Sequence, residues 1–213
     1  MSKKQKKNEK ENLFEFKIVT IGDSQVGKTS IIKRYIDNKF HYNTVSTLGI
    51  FNSQKKIILK NGEEIKLKLV DTAGQERYNS LSKNFFRNTH AVLFVFSFDS
   101  PKSFKNLGKW IKLFNEENTN QKKIVLYLIG NKKDLKKEVD EDEISFFLED
   151  NNEFFYKETS AKEEDNHINE LFQEIGEKLY EINKKYKNSN KKEIKISEHK
   201  EKNNKCALRD CFV

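Results

Sequence analysis

The octapeptide Gly22-Asp23-Ser24-Gln25-Val26-Gly27-Lys28-Thr29 constrains this chain more than any other stretch. Before it stands Phe14–Ile21 (FEFKIVTI), a β-rich run that ends at a glycine. After it, Thr29–Asn38 turns Ile31, Ile32, Tyr35 and Ile36 inward at helical spacing. A chain that passes from strand to helix through paired glycines must close a tight loop between them. Such a start suits a layered α/β architecture, provided strands and helices keep alternating.

They do. His41–Thr47 is polar, without periodicity, and reads as a loop. Two strand-like runs flank Asn61-Gly62, a dipeptide that predicts a hairpin closed by a tight primed turn with φ > 0. The second run alternates Ile65, Leu67 and Leu69 with Lys66 and Lys68, one face buried and one wet. Ala91–Phe98 (AVLFVFSF) and Ile124–Ile129 (IVLYLI) are almost wholly apolar, as central parallel strands covered on both faces should be. Ser103–Asn115 reads as one helix through Phe104, Leu107, Trp110, Ile111 and Phe114. Glu141–Asp150 reads as helical, Glu153–Tyr156 as a short strand, and Ile168–Tyr186 as a long amphipathic helix. The expected fold is a doubly wound, mostly parallel six-stranded sheet with one antiparallel hairpin strand and helices on both faces. Its ligand crevice should lie at the carboxyl ends of the strands.

Four segments fall at those ends. In the first, loop N–H groups can point inward and cradle phosphates at a helix N-terminus. The residues concerned are Asp23, Ser24, Gln25, Val26, Gly27, Lys28 and Thr29, with Ser30 just beyond. Lys28 can reach β- and γ-phosphates, and the Thr29 hydroxyl can coordinate Mg²⁺. This loop alone suits any Mg²⁺-dependent nucleotide enzyme, phosphate-transferring kinases included. The second segment is Asp71-Thr72-Ala73-Gly74-Gln75-Glu76. There the Asp71 carboxylate can hold a Mg²⁺ water, and the Gly74 N–H can meet a γ-phosphate. The third is Asn131-Lys132-Lys133-Asp134. A carboxylate at Asp134 accepts the N1–H and 2-amino hydrogens of guanine, donors that adenine does not offer at those positions. Asn131 can serve the other edge of the base, and the Lys132 stem can lie along the ring. In the fourth segment, Thr159-Ser160-Ala161-Lys162, a backbone N–H near Ala161 can bond guanine O6.

In this order, the phosphate loop, DTAGQE, NKKD and the late Ser-Ala-Lys resemble the Ras superfamily of small GTPases over roughly Phe14 to Tyr186. KLKLVDTAGQERY, STLGIF and FFRNTHAVLFVFSF look most like the Rab branch, which directs vesicle traffic. The resemblance implies a GTP/GDP switch with Mg²⁺ bound through Thr29, Thr47 and Asp71. It implies that Gln75 orients the attacking water, with Lys28 offsetting phosphate charge, and that Phe40 packs against guanine; an aromatic at that position otherwise reads as a helix-end core residue. Slow intrinsic hydrolysis, an activating protein, an exchange factor and effectors at the switch loops are implied with it. A switch that holds nucleotide without turnover, and a lipid-free relative in signalling, are the alternatives. Three departures stand out: Phe51-Asn52 where the branch carries an acidic residue then Phe, the strand end Phe96-Ser97-Phe98-Asp99, and Gln25 at a loop position usually filled by a small residue.

Charge enters at the ends of the chain. The net charge is +8, yet residues 1–12 contribute +3 and residues 184–213 contribute +6, leaving the middle near neutral. The basic character therefore does not predict nucleic-acid binding by the folded domain. The expected organisation is a basic extension at 1–12, the GTPase domain at 13–186 and a basic tail at 187–213. Both cysteines, Cys206 and Cys211, lie in that tail, which excludes a disulfide framework within the domain and suits a reducing compartment. No apolar run is long enough to span a bilayer. A C-terminal prenylation box needs cysteine fourth from the end, where Asp210 stands. By resemblance to the Rab branch, lipid is expected instead on Cys211 and Cys206. That lipid, with the polybasic tail, would bring the protein to the cytoplasmic face of an intracellular membrane.

Overall fold

The computed structural model describes residues 13–42, 50–72, 86–118 and 123–207, in backbone alone at 50, 51 and 188–207. Its strands are β1 (Phe14–Ile21), β2 (Ile50–Ile58), β3 (Glu64–Thr72), β4 (Ala91–Ser97), β5 (Val125–Asn131) and β6 (Phe154–Glu158). They form one six-stranded sheet in the order β2-β3-β1-β4-β5-β6. Every pairing is parallel except β2 with β3. β4 is buried at all its residues, which is why its sequence shows no alternation. β3 does alternate: Ile65, Leu67 and Leu69 are buried, while Lys66 and Lys68 both reach the Glu15 carboxylate on neighbouring β1.

Two cores sandwich the sheet. On one face lie α1 (Lys28–Asp37) and α5 (His167–Ala207). Ile31, Ile32, Tyr35, Leu171, Phe172 and Ile175 pack there against Ile18, Leu67, Leu93 and Ile129, with the Tyr35 and Phe172 rings stacked at 4.1 Å. On the other lie α2 (Pro101–Lys105), α3 (Leu107–Glu117) and α4 (Glu141–Asp150). This second core is rich in aromatics: Phe94 meets Phe114 and Phe154 edge-on, and Phe96 meets Phe104. Each fully buried large apolar side chain contributes about 1.5–3 kcal/mol, and each aromatic pair about 0.5–1.5 kcal/mol more. α5 also closes on the hairpin, where Gln173 Nε2 donates to Ile58 O at 3.1 Å and Lys60 N to Glu177 Oε1 at 2.7 Å.

The structure differs from the sequence expectation in three places. The hairpin turn is not a two-residue primed turn. Gly62 N donates to Leu59 O and Leu59 N to Glu63 O, and only Gly62, at φ 84°, is left-handed. Asn61 instead spends its side chain on the Glu63 N–H. These bonds make the longer turn that ends in a left-handed glycine. The helix expected at Ser103–Asn115 is two helices parted at Asn106, where Lys109 N donates to Asn106 O and the spacing tightens to three residues. Finally, α5 runs on to Ala207, past the expected end at Tyr186. Residues 187–207 hold no glycine or proline to stop it, and lysine and glutamate favour helix.

Candidate nucleotide site

Parallel strands deliver their carboxyl ends to one edge, and the four segments meet there. Thr29 Oγ1 donates to Asp71 Oδ2 at 2.5 Å, joining the phosphate loop to the end of β3. Asn131 Nδ2 donates to Val26 O at 2.8 Å, and Thr159 Oγ1 donates to Asn131 Oδ1 at 3.2 Å, joining β1, β5 and β6. Ser160 Oγ donates to Asp134 Oδ1 at 2.6 Å.

The loop between β1 and α1 depends on both glycines. Gly22 has φ 145°, and a Cβ there would lie 2.1 Å from Val95 O. Gly27 has φ 95°, and its Cβ would lie 2.2 Å from Asn131 Nδ2. Gln25 is left-handed as well, at φ 66°, an unusual conformation for a residue with a side chain. Lys28 threads beneath the loop, donating to Gly22 O at 2.8 Å and Asp23 O at 2.6 Å. Burial pushes its ammonium down to about 8, against the opposing pull of Asp71 and Asp23. A cradle that only glycine can line, closed by a buried cation, fits a phosphate.

Beside Lys28, Asp71 is fully buried and also accepts from Thr20 Oγ1 at 3.4 Å. The Thr29 hydroxyl and Asp71 carboxylate present hard oxygens to a common point, a donor set that fits Mg²⁺. Among the described residues no group of three or more His, Cys, Asp or Glu side chains converges as a metal cage.

The end of the crevice formed by the third and fourth segments is built from side chains. Ser160 Oγ gives its hydrogen to Asp134 and accepts from Lys162 N and Glu163 N, each at 3.1 Å, which sets the backbone around buried Ala161. Lys132, at φ 60°, sends Nζ to Asp99 Oδ2 at 3.2 Å. Partial burial works against the Asp99 charge, but Ser97 and Lys132 hold its carboxyl below the usual range. Sequence reading missed several groups. Lys133 Nζ reaches Asp165 at 2.7 Å and Glu163 at 3.5 Å, tying the third segment to the fourth. Arg34 Nη2 donates to Glu163 O at 3.0 Å from α1. Asn106 and Trp110 both reach Asp23. Only the Lys133 pairs carried a signal, complementary charge, and that does not fix a partner so far along the chain; the neutral donors Asn106 and Trp110 and the Arg34 bond to a backbone carbonyl carried none.

Phe40 is half-buried against the core beneath α1 and meets the Tyr42 ring edge-on at 5.0 Å. Thr47, Gly74, Gln75 and Cys211 lie outside the described residues, and Cys206 lies in the part of α5 described in backbone alone.

Compared with known proteins, the chain matches the Ras family over residues 17–181. It belongs to that family. The match runs from β1 into α5 and takes in every segment at the crevice. Among its relatives, the GTP-binding protein ypt3 of Schizosaccharomyces pombe is 37% identical over 78% of this chain and 77% of its own length. The human Ras-related protein Rab-30 is 35% identical over 78% and 80%. The Ras-related protein Rab-5A of Dictyostelium discoideum is 36% identical over 81% and 84%. The chain is therefore a Rab-like small GTPase of the Ras superfamily, and the sheet order and crevice of this Rab-like GTPase agree with its sequence.

Proposed function

We propose that this Rab-like GTPase is a guanine-nucleotide switch in intracellular vesicle traffic, and that its crevice binds GTP and GDP in one orientation. The observation that carries this reading is the direct contact between the two ends of the site, Asn131 Nδ2 on Val26 O. The loop that suits phosphates and the strand end that suits guanine are thereby held in fixed register. Inward N–H groups from Asp23 to Thr29 take the α- and β-phosphates. Lys28 leaves the carbonyls of Gly22 and Asp23 for the β- and γ-phosphates. Asp134 takes the guanine N1–H and 2-amino group, Asn131 the other edge, and the N–H near Ala161 takes O6, with Ser160 and Lys162 flanking it. Lys132 and Phe40 cover the ring. Thr29, Asp71 and Thr47 would hold Mg²⁺, which when bound supplies positive charge to the phosphate oxygens.

Hydrolysis here is a matter of positioning and charge rather than covalent chemistry. Gln75 orients the attacking water and Gly74 offers its N–H to the γ-phosphate. Domains of this kind turn over at about 10⁻⁴ s⁻¹ alone, and a partner's arginine raises that by about 10⁵-fold. An activating protein supplies that arginine, an exchange factor reloads the site, and effectors read the segments around Thr47 and Gln75. Lipid on Cys211 and Cys206, with the basic tail, holds the switch on the cytoplasmic face of its membrane.

Single-turnover GTP hydrolysis with and without cell extract tests the enzymatic half. Gln75→Leu should bind GTP near normally and lose stimulated turnover; normal stimulated turnover would remove Gln75 from its role. Tagged full-length protein compared with a Cys206→Ser/Cys211→Ser double variant tests the address, because equal membrane recovery would dismiss the lipid.

A further inference from the structure

We propose that Asp23 is a positioning residue, its carboxylate fixing the phosphate loop to α3 through Asn106 and Trp110 and so setting how tightly nucleotide is held. The proposal rests on the nucleotide reading given above. Asp23 is buried, and both of its carboxylate oxygens face α3. Oδ2 accepts from Asn106 Nδ2 at 2.6 Å, and Oδ1 accepts from Trp110 Nε1 at 2.7 Å. Its own carbonyl accepts from Lys28 Nζ at 2.6 Å. One residue thus ties the loop outward to a helix of the second core and inward to the cation beneath the phosphates.

The loop needs such a tie. The side chains of Ser24 and Gln25 are exposed, and Gln25 holds a left-handed conformation that costs about 1–3 kcal/mol in a residue with a side chain. Three further bonds hold the loop, two from Lys28 to the Gly22 and Asp23 carbonyls and one from Asn131 to the Val26 carbonyl. Lys28 must give up its carbonyls to reach a phosphate, whereas the Asp23 carboxylate need not move. Of the loop's restraints, the bonds to α3 persist through loading and release. A loop held in its binding shape before the ligand arrives loses less ordering free energy on binding. Asn106 and Trp110 are four residues apart and so share one face of the helix. The break between α2 and α3 falls at Asn106, the position that supplies one of the two donors.

Release of a fluorescent GDP analogue from the full-length chain, in excess Mg²⁺ and beside thermal melting of the same samples, tests this. Trp110→Phe and Asn106→Ala each delete one donor and should speed release about tenfold, the size of a lost charge-assisted hydrogen bond. Asp23→Ala should do at least as much, and adding Trp110→Phe to it should bring no further gain. Asp23→Asn should stay within about threefold of wild type, because Asn106 can turn its oxygen toward the new amide and keep both bonds. The chain has one tryptophan, so its emission reads this contact directly. Because that contact stays through release, the emission should be unchanged by GDP release in wild type and Asp23→Asn, and should differ from theirs in Asp23→Ala both before and after release. Release within about twofold of wild type in both donor deletions overturns the proposal, whatever the melting temperatures do. If Asp23→Ala does not fold, those two variants still decide. A wild-type chain that retains no GDP overturns the nucleotide reading itself, and this proposal with it.

Discussion

The two ends of the crevice, proposed above to take the phosphates and the base, are made in opposite ways. At the phosphate end, recognition is a backbone shape, held by Gly22, left-handed Gln25, Gly27 and one buried lysine. At the base end it is a net of side chains, with Asn131 on Thr159, Asp134 on Ser160 and Lys133 on Asp165. A charge spread over phosphate oxygens is met by converging N–H dipoles, which any sequence supplies once its chain is bent correctly. A base edge is a short pattern of donors and acceptors, and needs one chosen group at each position. The first kind of site fails when the backbone cannot take its shape. The second fails when one partner is lost.

Gly27→Ala should have the largest effect, because it strikes the point where the two ends touch. The added methyl would stand 2.2 Å from Asn131 Nδ2 at a φ of 95°, so the loop must distort or Asn131 must leave Val26 O. Loss of measurable GDP binding by calorimetry is expected, together with a lower melting temperature. Next comes Asp134→Ala, which leaves Ser160 Oγ and the base donors unpaired and should weaken GDP by about 100-fold while the fold persists. If Gly27→Ala proved milder than Asp134→Ala, the distinction between shape and partner would break.

Lys28 gives a third and smaller test through pH. Its ammonium has an ordinary value of 10.5 and is pushed down to about 8 in the folded chain. Between those values the unfolded chain binds the extra proton, so the stability of nucleotide-free protein should rise with pH across that window. Below about pH 8 both states are protonated and the slope from this group vanishes. Lys28→Met should remove the slope in denaturant titrations. Asp140→Ala sits at the bottom of the scale. Its carboxylate accepts from Asp142 N at 3.0 Å and caps α4, away from the crevice. Its loss should cost about 1 kcal/mol in denaturant titration and leave GDP affinity unchanged.

The same division governs what the sequence disclosed. Gly22, Gly27, Lys28 and Asp71 were legible because short-range pattern and strand-end placement define them. So were the sheet and its one antiparallel strand, whose apolar runs have the right period. Asp99, Lys133 and Arg34 were not, since each acts through a partner chosen by the folded geometry. Asn106 is the clearest case. Helical periodicity runs straight through it, yet the ladder tightens there and its amide turns to a residue in the first loop. Asn61 shows the limit of a local rule, for the hairpin formed as expected while the asparagine bonded its own turn and kept a negative φ.

Ile50 faces Thr72 across the β2–β3 ladder, the first residue of one strand against the last of the other. The stretch carrying Thr47 therefore enters the sheet at the rung from which the stretch carrying Gln75 departs. On the function proposed above, two reporters of the same phosphate are thereby yoked to a single crossbar. On that reading, a binding partner that gripped both strands at this rung would read a sum rather than two separate signals.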